Sequence, residues 1–471
     1  MNADSAGLLV KRRTLLRLAS LAASLALPSH GLSAQTLGEC PALASGPRRM
    51  SDLIGSNGWA GSPSDICMWK EMGISWGRNS VGPGQPNSPD DMMNVSKTSS
   101  AFDVDLAGAI LRNNQNGIRS LLYLGFTPKW NATVAGDSKS APKDVRVWQR
   151  YVDAAVSTYS KPPYNVRYFQ VWNEAAGRLS GGSPQATFWH GPGYDKTRML
   201  FSDYERAMQD YVDLIHLPAA SIIRRYQCNV VYGGWPDQGG LDTFVKWLEF
   251  QSSTYHTRII DHVDYLDTHY LNINDLSSLY QRYVKPGKVK GLWQTEIGDR
   301  YMEDPHYLPN YFFDFAEWAL KHSWDDPNQY VSMIYHWDGY EPFRLTRRGP
   351  PRTFNVSGRS LSVLCKTVPG RLSMFSGSLS PSDGTRASAL YSDDDLIVKV
   401  TSPPGRAHVR VHGFKGAAGS AVSVIDAITG ATSPANVQKV GPRQVDVSFD
   451  TQTTINGRYD NLSYLVLKRG P

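Results

Sequence analysis

Between about residue 50 and residue 370, short β-prone apolar runs alternate with longer stretches whose apolar positions recur at helical spacing. Eight runs are candidate strands: residues 52–55, 74–78, 119–125, 166–172, 230–234, 263–268, 291–295 and 331–337. Between the third and fourth, Trp148, Tyr151, Val152, Ala155, Val156 and Tyr159 fall at i, i+3, i+4, i+7, i+8 and i+11, one apolar stripe of an amphipathic helix. Strands joined through helices specify a parallel sheet, because a parallel pair needs a long crossover. Eight such units predict an α/β fold, a (β/α)8 TIM barrel whose chemistry gathers at the C-terminal strand ends. The alternative is an open doubly wound sheet; the chain has no Gly-x-Gly-x-x-Gly turn or phosphate loop to support its nucleotide-binding version.

After a last helical stretch around 360–367, the pattern switches to period two. Residues 396–400, 408–412, 422–425, 445–449 and 462–467 read as strands separated by Gly, Pro, Ser and Asn, as in a C-terminal antiparallel β-sandwich. The expected organisation is a barrel over 35–370 and a sandwich over 371–471. All 13 tryptophans lie between Trp59 and Trp337. The sandwich therefore reads as a structural partner of the barrel rather than a separate sugar-binding module, with Tyr391, Tyr459 and Tyr464 its remaining aromatic candidates.

Composition adds a large core, with 41% hydrophobic residues in 471, and a formal charge of +6. Half of that charge sits before residue 35, where Lys11, Arg12, Arg13 and Arg17 face only Asp4. Arg12 and Arg13 precede an uncharged run over 18–27 and small residues up to Ala34, so 1–34 reads as a signal peptide resembling the twin-arginine type, which predicts export to a bacterial periplasm. That run is too short to span a bilayer. Cys40, Cys67, Cys228 and Cys365 lack C-x-x-C spacing, which argues against zinc. Cys228 and Cys365 read as buried filling, and Cys40 with Cys67 as a candidate disulfide. Nothing resembles a base-reading element, which argues against nucleic acid.

The candidate chemistry rests on two glutamates that close similar runs: Glu174 in Phe-Gln-Val-Trp-Asn-Glu and Glu296 in Leu-Trp-Gln-Thr-Glu. A carboxylate ending a buried strand is costly to keep unless it is used, and a pair can supply the acid and the nucleophile of glycoside hydrolysis. Each alone has a plainer reading as an ion-pair residue.

Trp172-Asn173-Glu174 after strand four and Thr295-Glu296 at strand seven resemble glycoside hydrolase clan A, and within it family 39, the group of β-xylosidases, α-L-iduronidases and bacterial enzymes that cut exopolysaccharides. The resemblance covers the barrel. It implies Glu174 as acid/base, Glu296 as nucleophile, retention of configuration and a polysaccharide or oligosaccharide substrate; histidine-rich sites are thin, and no residue pattern points to a metal or cofactor. It also implies substrate-site roles for Arg78 in Gly-Ile-Ser-Trp-Gly-Arg, Trp130 in Gly-Phe-Thr-Pro-Lys-Trp, Asn173, His269, Tyr270 and Trp337. Arg78 would hold Glu296 ionised, Asn173 would donate to the sugar 2-OH, and Trp130 and Trp337 would stack on sugar rings. Two departures stand out: Ala175 and Ala176 replace the proline usual after the acid/base, and His269 and Tyr270 are adjacent where the family spaces them by one, which by strand alternation turns Tyr270 away. The cluster Arg344, Arg347, Arg348 and Arg352 reads as a solvated loop, with an acidic polysaccharide as its functional alternative. The leading expectation is an endo-acting enzyme on a bacterial exopolysaccharide. Its alternatives are an exo-acting, xylosidase-like glycosidase and a non-catalytic carbohydrate-binding barrel.

Overall fold

The computed structural model describes residues 43, 46, 48–83, 107–175, 188–191, 194–195, 200–234, 240–298, 304–335, 345–347, 349, 352–414, 421–441, 443–451 and 460–468. The expected signal segment, Cys40, Ala176, Trp337, Arg344, Arg348 and Tyr459 lie outside them. Eight parallel strands close into a barrel: β1 (Ile54–Asn57), β2 (Trp76–Pro83), β3 (Arg119–Gly125), β4 (Tyr168–Val171), β5 (Asn229–Tyr232), β6 (Tyr265–His269), β7 (Gly291–Ile297) and β8 (Tyr330–Ile334). Each pairs with its neighbours in sequence, and β8 closes on β1. Every expected strand is present. The first is displaced: 50–53 forms a helical turn, because the Asp52 carboxylate accepts the Arg49 amide at 2.8 Å and winds the chain before β1 begins.

A helix follows each strand, among them Val145–Tyr159, whose expected stripe is buried from Trp148 to Tyr159. Strand alternation divides the apolar residues into two layers. Ile54, Leu122, Phe169, Val230, Leu266, Leu292 and Ile334 join the helices in the large core. Trp76, Leu121, Val231, Tyr265, Trp293, Val331 and Met333 fill the barrel. Burial on both faces is why these strands read as continuous apolar runs. The barrel floor is aromatic: Trp76 lies 5.0 Å from Trp293 and 5.1 Å from Tyr168, and Tyr265 lies 4.9 Å from Trp293, ring centre to ring centre. Arg119 caps this floor with its guanidinium 4.1 Å over the Trp76 ring.

After the helix Val356–Thr367 come two antiparallel sheets. One has six strands, in the order Leu372–Met374, Arg386–Ser392, Asp395–Ser402, Asn461–Leu467, Val422–Asp426 and Thr432–Ser433. The other has four: Ser378–Pro381, Gly405–His412, Gln444–Thr451 and Asn436–Gly441. Val398, Val409, Val447 and Leu465 pack between them. The opposite face of the larger sheet, with Leu390, Ile397, Leu462, Tyr464 and Val466, belongs to the barrel's own core. Tyr464 is fully buried there, stacked on Phe313 at 6.3 Å, so it is a packing residue and not a sugar platform. Tyr391 packs among Phe375 and Phe414. Cys67 is disulfide-bonded, and Cys228 and Cys365 are free thiols.

Candidate active site

The alternation that builds the aromatic floor also builds the layer above it. Two positions beyond Trp76 on β2 is Arg78; two beyond Tyr168, Tyr265 and Trp293 are Gln170, Asp267 and Thr295. These four polar residues are no more than 2% exposed. Asp267 and Thr295 bond each other, and Arg78 takes Gln170 and three further partners: Nε donates to Gln170 Oε1 at 2.8 Å, Nη1 to Asn57 Oδ1 at 2.6 Å and Glu296 Oε1 at 2.8 Å, and Nη2 to Asn173 Oδ1 at 2.6 Å. The Tyr123 ring lies beneath it, 4.8 Å from the guanidinium carbon. A planar fork of donors is what allows one side chain to hold partners from three strands and the turn after β4.

Glu296 reaches this cluster through a bulge. Thr268 pairs with Gln294 but His269 with Glu296, and on the other side Ser332 pairs with Gln294 but Ile334 with Ile297, so β7 carries one extra residue at Thr295. A bulge re-aims the side chains beside it. Here Thr295 and Glu296 both face inward, where strict alternation would have sent Glu296 out. The bulge is tied down by buried partners: the Thr295 amide donates to Asp267 Oδ1 at 2.9 Å, and its carbonyl accepts Asn57 Nδ2 at 2.7 Å. Glu296 Oε2 then accepts the Tyr270 hydroxyl at 2.9 Å.

Glu174 arrives differently. After β4 the chain takes positive φ at Trp172 (67°) and Glu174 (46°), held by the Trp172 amide on Leu124 O at 2.7 Å and the Glu174 amide on Gly233 O at 2.7 Å. The Trp172 indole wedges between Phe126, Trp148 and Trp189. Left-handed backbone at non-glycine residues costs of order 1–3 kcal/mol each and gathers at functional sites. Tyr270, with φ 57°, is a third instance, and it corrects the expectation from alternation: the twist returns its ring to the site, so His269 and Tyr270 face the same carboxylates.

Between the two glutamates sits His269, fully buried. Its Nδ1 lies 2.8 Å from Glu174 Oε1 and 3.6 Å from Glu296 Oε2, and its Nε2 lies 3.0 Å from Thr295 Oγ1. The charges are ordered by these contacts. Burial raises the proton affinity of Glu174, the His269 bond opposes it, and the charge of Glu296 adds to it, leaving its pKa above the ordinary value. Burial also pushes Glu296 up, but His269, Arg78 and the Tyr270 hydroxyl outweigh it and hold its pKa below the ordinary value. For His269, burial acts downward and the carboxylates of Glu296 and Asp267 upward, with a net pKa of about 10. Burial beside Glu296 keeps the Tyr270 phenol protonated, as a donor.

No protein-family model matches the chain, and no curated protein matches it. Solved structures do. A family 30 endoxylanase from Clostridium papyrosolvens C71 shares 15% identity with a TM-score of 0.57, over 91% of this chain and 98% of that one. A family 39 glycoside hydrolase from Bacteroides cellulosilyticus WH2 shares 13% identity with a TM-score of 0.59, over 89% and 81%. The family 30 subfamily 8 xylanase Xyn30A from Clostridium acetobutylicum shares 11% with a TM-score of 0.54, over 91% and 97%.

The fold is the one these glycoside hydrolases have.

Of the residues singled out in the sequence, Arg78, Asn173, Glu174, His269, Tyr270 and Glu296 converge. His269 does not open to a sugar subsite; both its nitrogens are occupied by protein groups. Asn173 accepts from Arg78 through its oxygen, which leaves its amide hydrogens to face a ligand. Trp130 sits on a short 3-10 turn after β3 and is 37% exposed. Arg347 reaches Asn355, and Arg352 pairs with Asp65 at 3.3 Å, so these two members of the arginine cluster serve local structure. Sequence reasoning passed over Asn57, Gln170, Asp267 and Thr295. For three of them a signal follows once the floor is assigned: Gln170, Asp267 and Thr295 each lie two positions after a floor aromatic, whereas Asn57 follows Gly55 on β1 and has none. Glu174, His269 and Glu296 also place ligand-type atoms within 4.8 Å of one another, the one such group among the described residues. The Arg78 guanidinium and the His269 proton already supply the positive charge a cation would bring there.

Proposed function

We propose that the chain is a retaining glycoside hydrolase, with Glu174 as acid/base and Glu296 as nucleophile. The observation that carries this reading is two carboxylates with oxygens within 4.8 Å of each other at the barrel's C-terminal end, one held above and the other below its ordinary pKa. Retaining enzymes place their carboxyl groups about 5–5.5 Å apart, and inverting ones about 6.5–9.5 Å. In the first step, Glu296 attacks the anomeric carbon and forms an ester while Glu174 gives its proton to the departing oxygen. Forming the ester consumes the charge of Glu296, which lowers the proton affinity of Glu174 for the moment it acts as acid's conjugate base. Glu174 then takes a proton from water, the water oxygen bonds to the sugar, and the ester electrons return to Glu296. Arg78 and Tyr270 hold one oxygen each of the nucleophile and stabilise it as leaving group in that second step.

For substrate we propose an oligosaccharide or polysaccharide, cut within the chain, of the bacterial exopolysaccharide kind. Trp130, 37% exposed, and Tyr335, 42% exposed and 6.3 Å from the Tyr270 ring, offer stacking faces for successive sugars. Two of the similar structures are described as xylanases, one of them an endoxylanase. Export through the twin-arginine-type segment, to a bacterial periplasm, is part of the same proposal and suits an extracellular polymer. Early release of monosaccharide alone from a polysaccharide would replace the endo reading with the exo one.

The roles of the two glutamates separate kinetically. On an aryl glycoside with a good leaving group, Glu174→Ala should retain glycosylation, because no acid is needed, whereas Glu296→Ala should lose on the order of 10⁴-fold or more. Equal losses would overturn the assignment, and unchanged turnover in both would overturn the hydrolase reading.

A further inference from the structure

Asp267 has no place in the two-carboxylate scheme, yet it is completely buried in the barrel beneath it. Its Oδ1 accepts the Thr295 amide at 2.9 Å, and its Oδ2 accepts the Thr295 hydroxyl at 2.8 Å. That second bond fixes a direction. Having given its hydrogen to Asp267, the Thr295 hydroxyl can only accept from His269 Nε2, 3.0 Å away, so Nε2 carries a hydrogen. Asp267 Oδ2 itself lies 3.4 Å from the same nitrogen. With Nε2 occupied by a proton, the nitrogen free to exchange one is Nδ1, and Nδ1 faces Glu174 at 2.8 Å.

We propose that Asp267 is a positioning residue: through the Thr295 hydroxyl it keeps the hydrogen on His269 Nε2, so that Nδ1 and Glu174 share the single proton that is delivered to the leaving group. This rests on the hydrolase reading for the use made of that proton, but the relay itself is a property of the resting protein. The balance closes within the cycle. The shared proton goes from Glu174 to the glycosidic oxygen as the C–O bond breaks, and the attacking water returns one to Glu174. His269 holds a proton and never crosses to the substrate.

The charged and titratable groups around the ring are Glu174 after β4, Glu296 on β7, Arg78 on β2, and Asp267 and Tyr270 on its own strand and just beyond it. Asp267 is the one among the negative groups that plays no part in bond making. Removing its charge must weaken the hold on the His269 proton, which is lost at about pH 10 in the intact site.

The test is a pH titration of histidine-labelled full-length protein by nitrogen NMR, with His269 assigned by its loss in His269→Gln. The wild type should show a protonated Nε2 throughout and an Nδ1 titration in the alkaline range. In Asp267→Asn the midpoint should fall by at least one pH unit, a tenfold loss of proton affinity. Thr295→Val, which keeps the side-chain volume and the amide bond to Asp267, should move it less and in the same direction. It carries the test if Asp267→Asn does not fold. The alkaline limb of kcat/KM on a cleaved aryl glycoside should move down with the NMR midpoint, and the loss should be at least tenfold larger for a poor leaving group than for a good one. A midpoint in the folded variants at or above that of the wild type overturns the proposal, as does an equal loss on both leaving groups, which marks a merely structural fault. Because the NMR titration needs no turnover, a failed relay is distinguishable from a protein that cleaves no glycoside.

Discussion

Arg78 donates from all three of its nitrogens to Gln170, Asn57, Glu296 and Asn173, so the charge of Glu296 and the orientation of Asn173 depend on one planar group. Lysine has the charge without the fork. With Glu296 held below its ordinary pKa and active when ionised, activity is present above that pKa and lost as pH falls through it. Arg78→Lys removes a donor and loosens the neighbouring charge, which raises the proton affinity of Glu296. The acid limb of kcat/KM should therefore begin at a higher pH, with kcat down by about 10²-fold. A pH-rate profile with its acid limb in place would show that the nucleophile's charge is held by something else. The arginine, both glutamates and Asn173 were legible in the sequence because strand ends and short motifs name them. Asp267 and Thr295 were not, because a buried polar residue is noticed only once its apolar neighbours are assigned to a face.

At the level of elements, the site is the product of irregularities laid on a regular barrel. Alternation predicts which residues face inward only while the register holds, and β7 breaks it at Thr295 against both neighbouring strands. No local pattern announces such a bulge, since it is set by hydrogen bonds to β6, β8 and Asn57, which are remote in the chain. The same holds for the left-handed turn at Tyr270 and for the start of β1, where one Asp52 cap outweighs the β propensity of the residues around it. The loop after β5 shows how tightly these irregularities fit. Gly234 has φ 76°, and a Cβ there would stand 2.5 Å from His269 Nε2. Gly234→Ala combines backbone strain of about 1–2 kcal/mol with displacement of the imidazole. It should lower the melting temperature modestly while cutting kcat/KM at least tenfold on substrates that need an acid. Thermal melts and kinetics on one preparation check both halves, and full activity would mean the ring tolerates being moved.

Over the described residues from Leu43 onward, barrel and sandwich form one unit of packing. The helix Tyr307–Lys321 lies against Leu372–Met374 and Arg386–Ser392, and Lys399, buried in the larger sheet, bonds Asp314 on that helix. Both faces of strand Asp395–Ser402 are covered, one by the second sheet and one by the barrel's core, which explains its unbroken burial from Leu396 onward. A domain that stood alone would show a polar outer face there. The sandwich therefore contributes to the stability of the barrel helix it covers. Unfolding should be a single cooperative transition in calorimetry, with calorimetric and van't Hoff enthalpies in agreement. Phe313→Ala, which empties the stack on Tyr464, should destabilise the whole protein by about 3–5 kcal/mol and lower that one transition without splitting it. A chain ending at residue 370 would leave Phe313 and its apolar surroundings in water, and it should be insoluble or melt far below the intact protein. Two resolved transitions, or a truncated barrel that melts where the intact protein does, would show that the sandwich is an independent passenger.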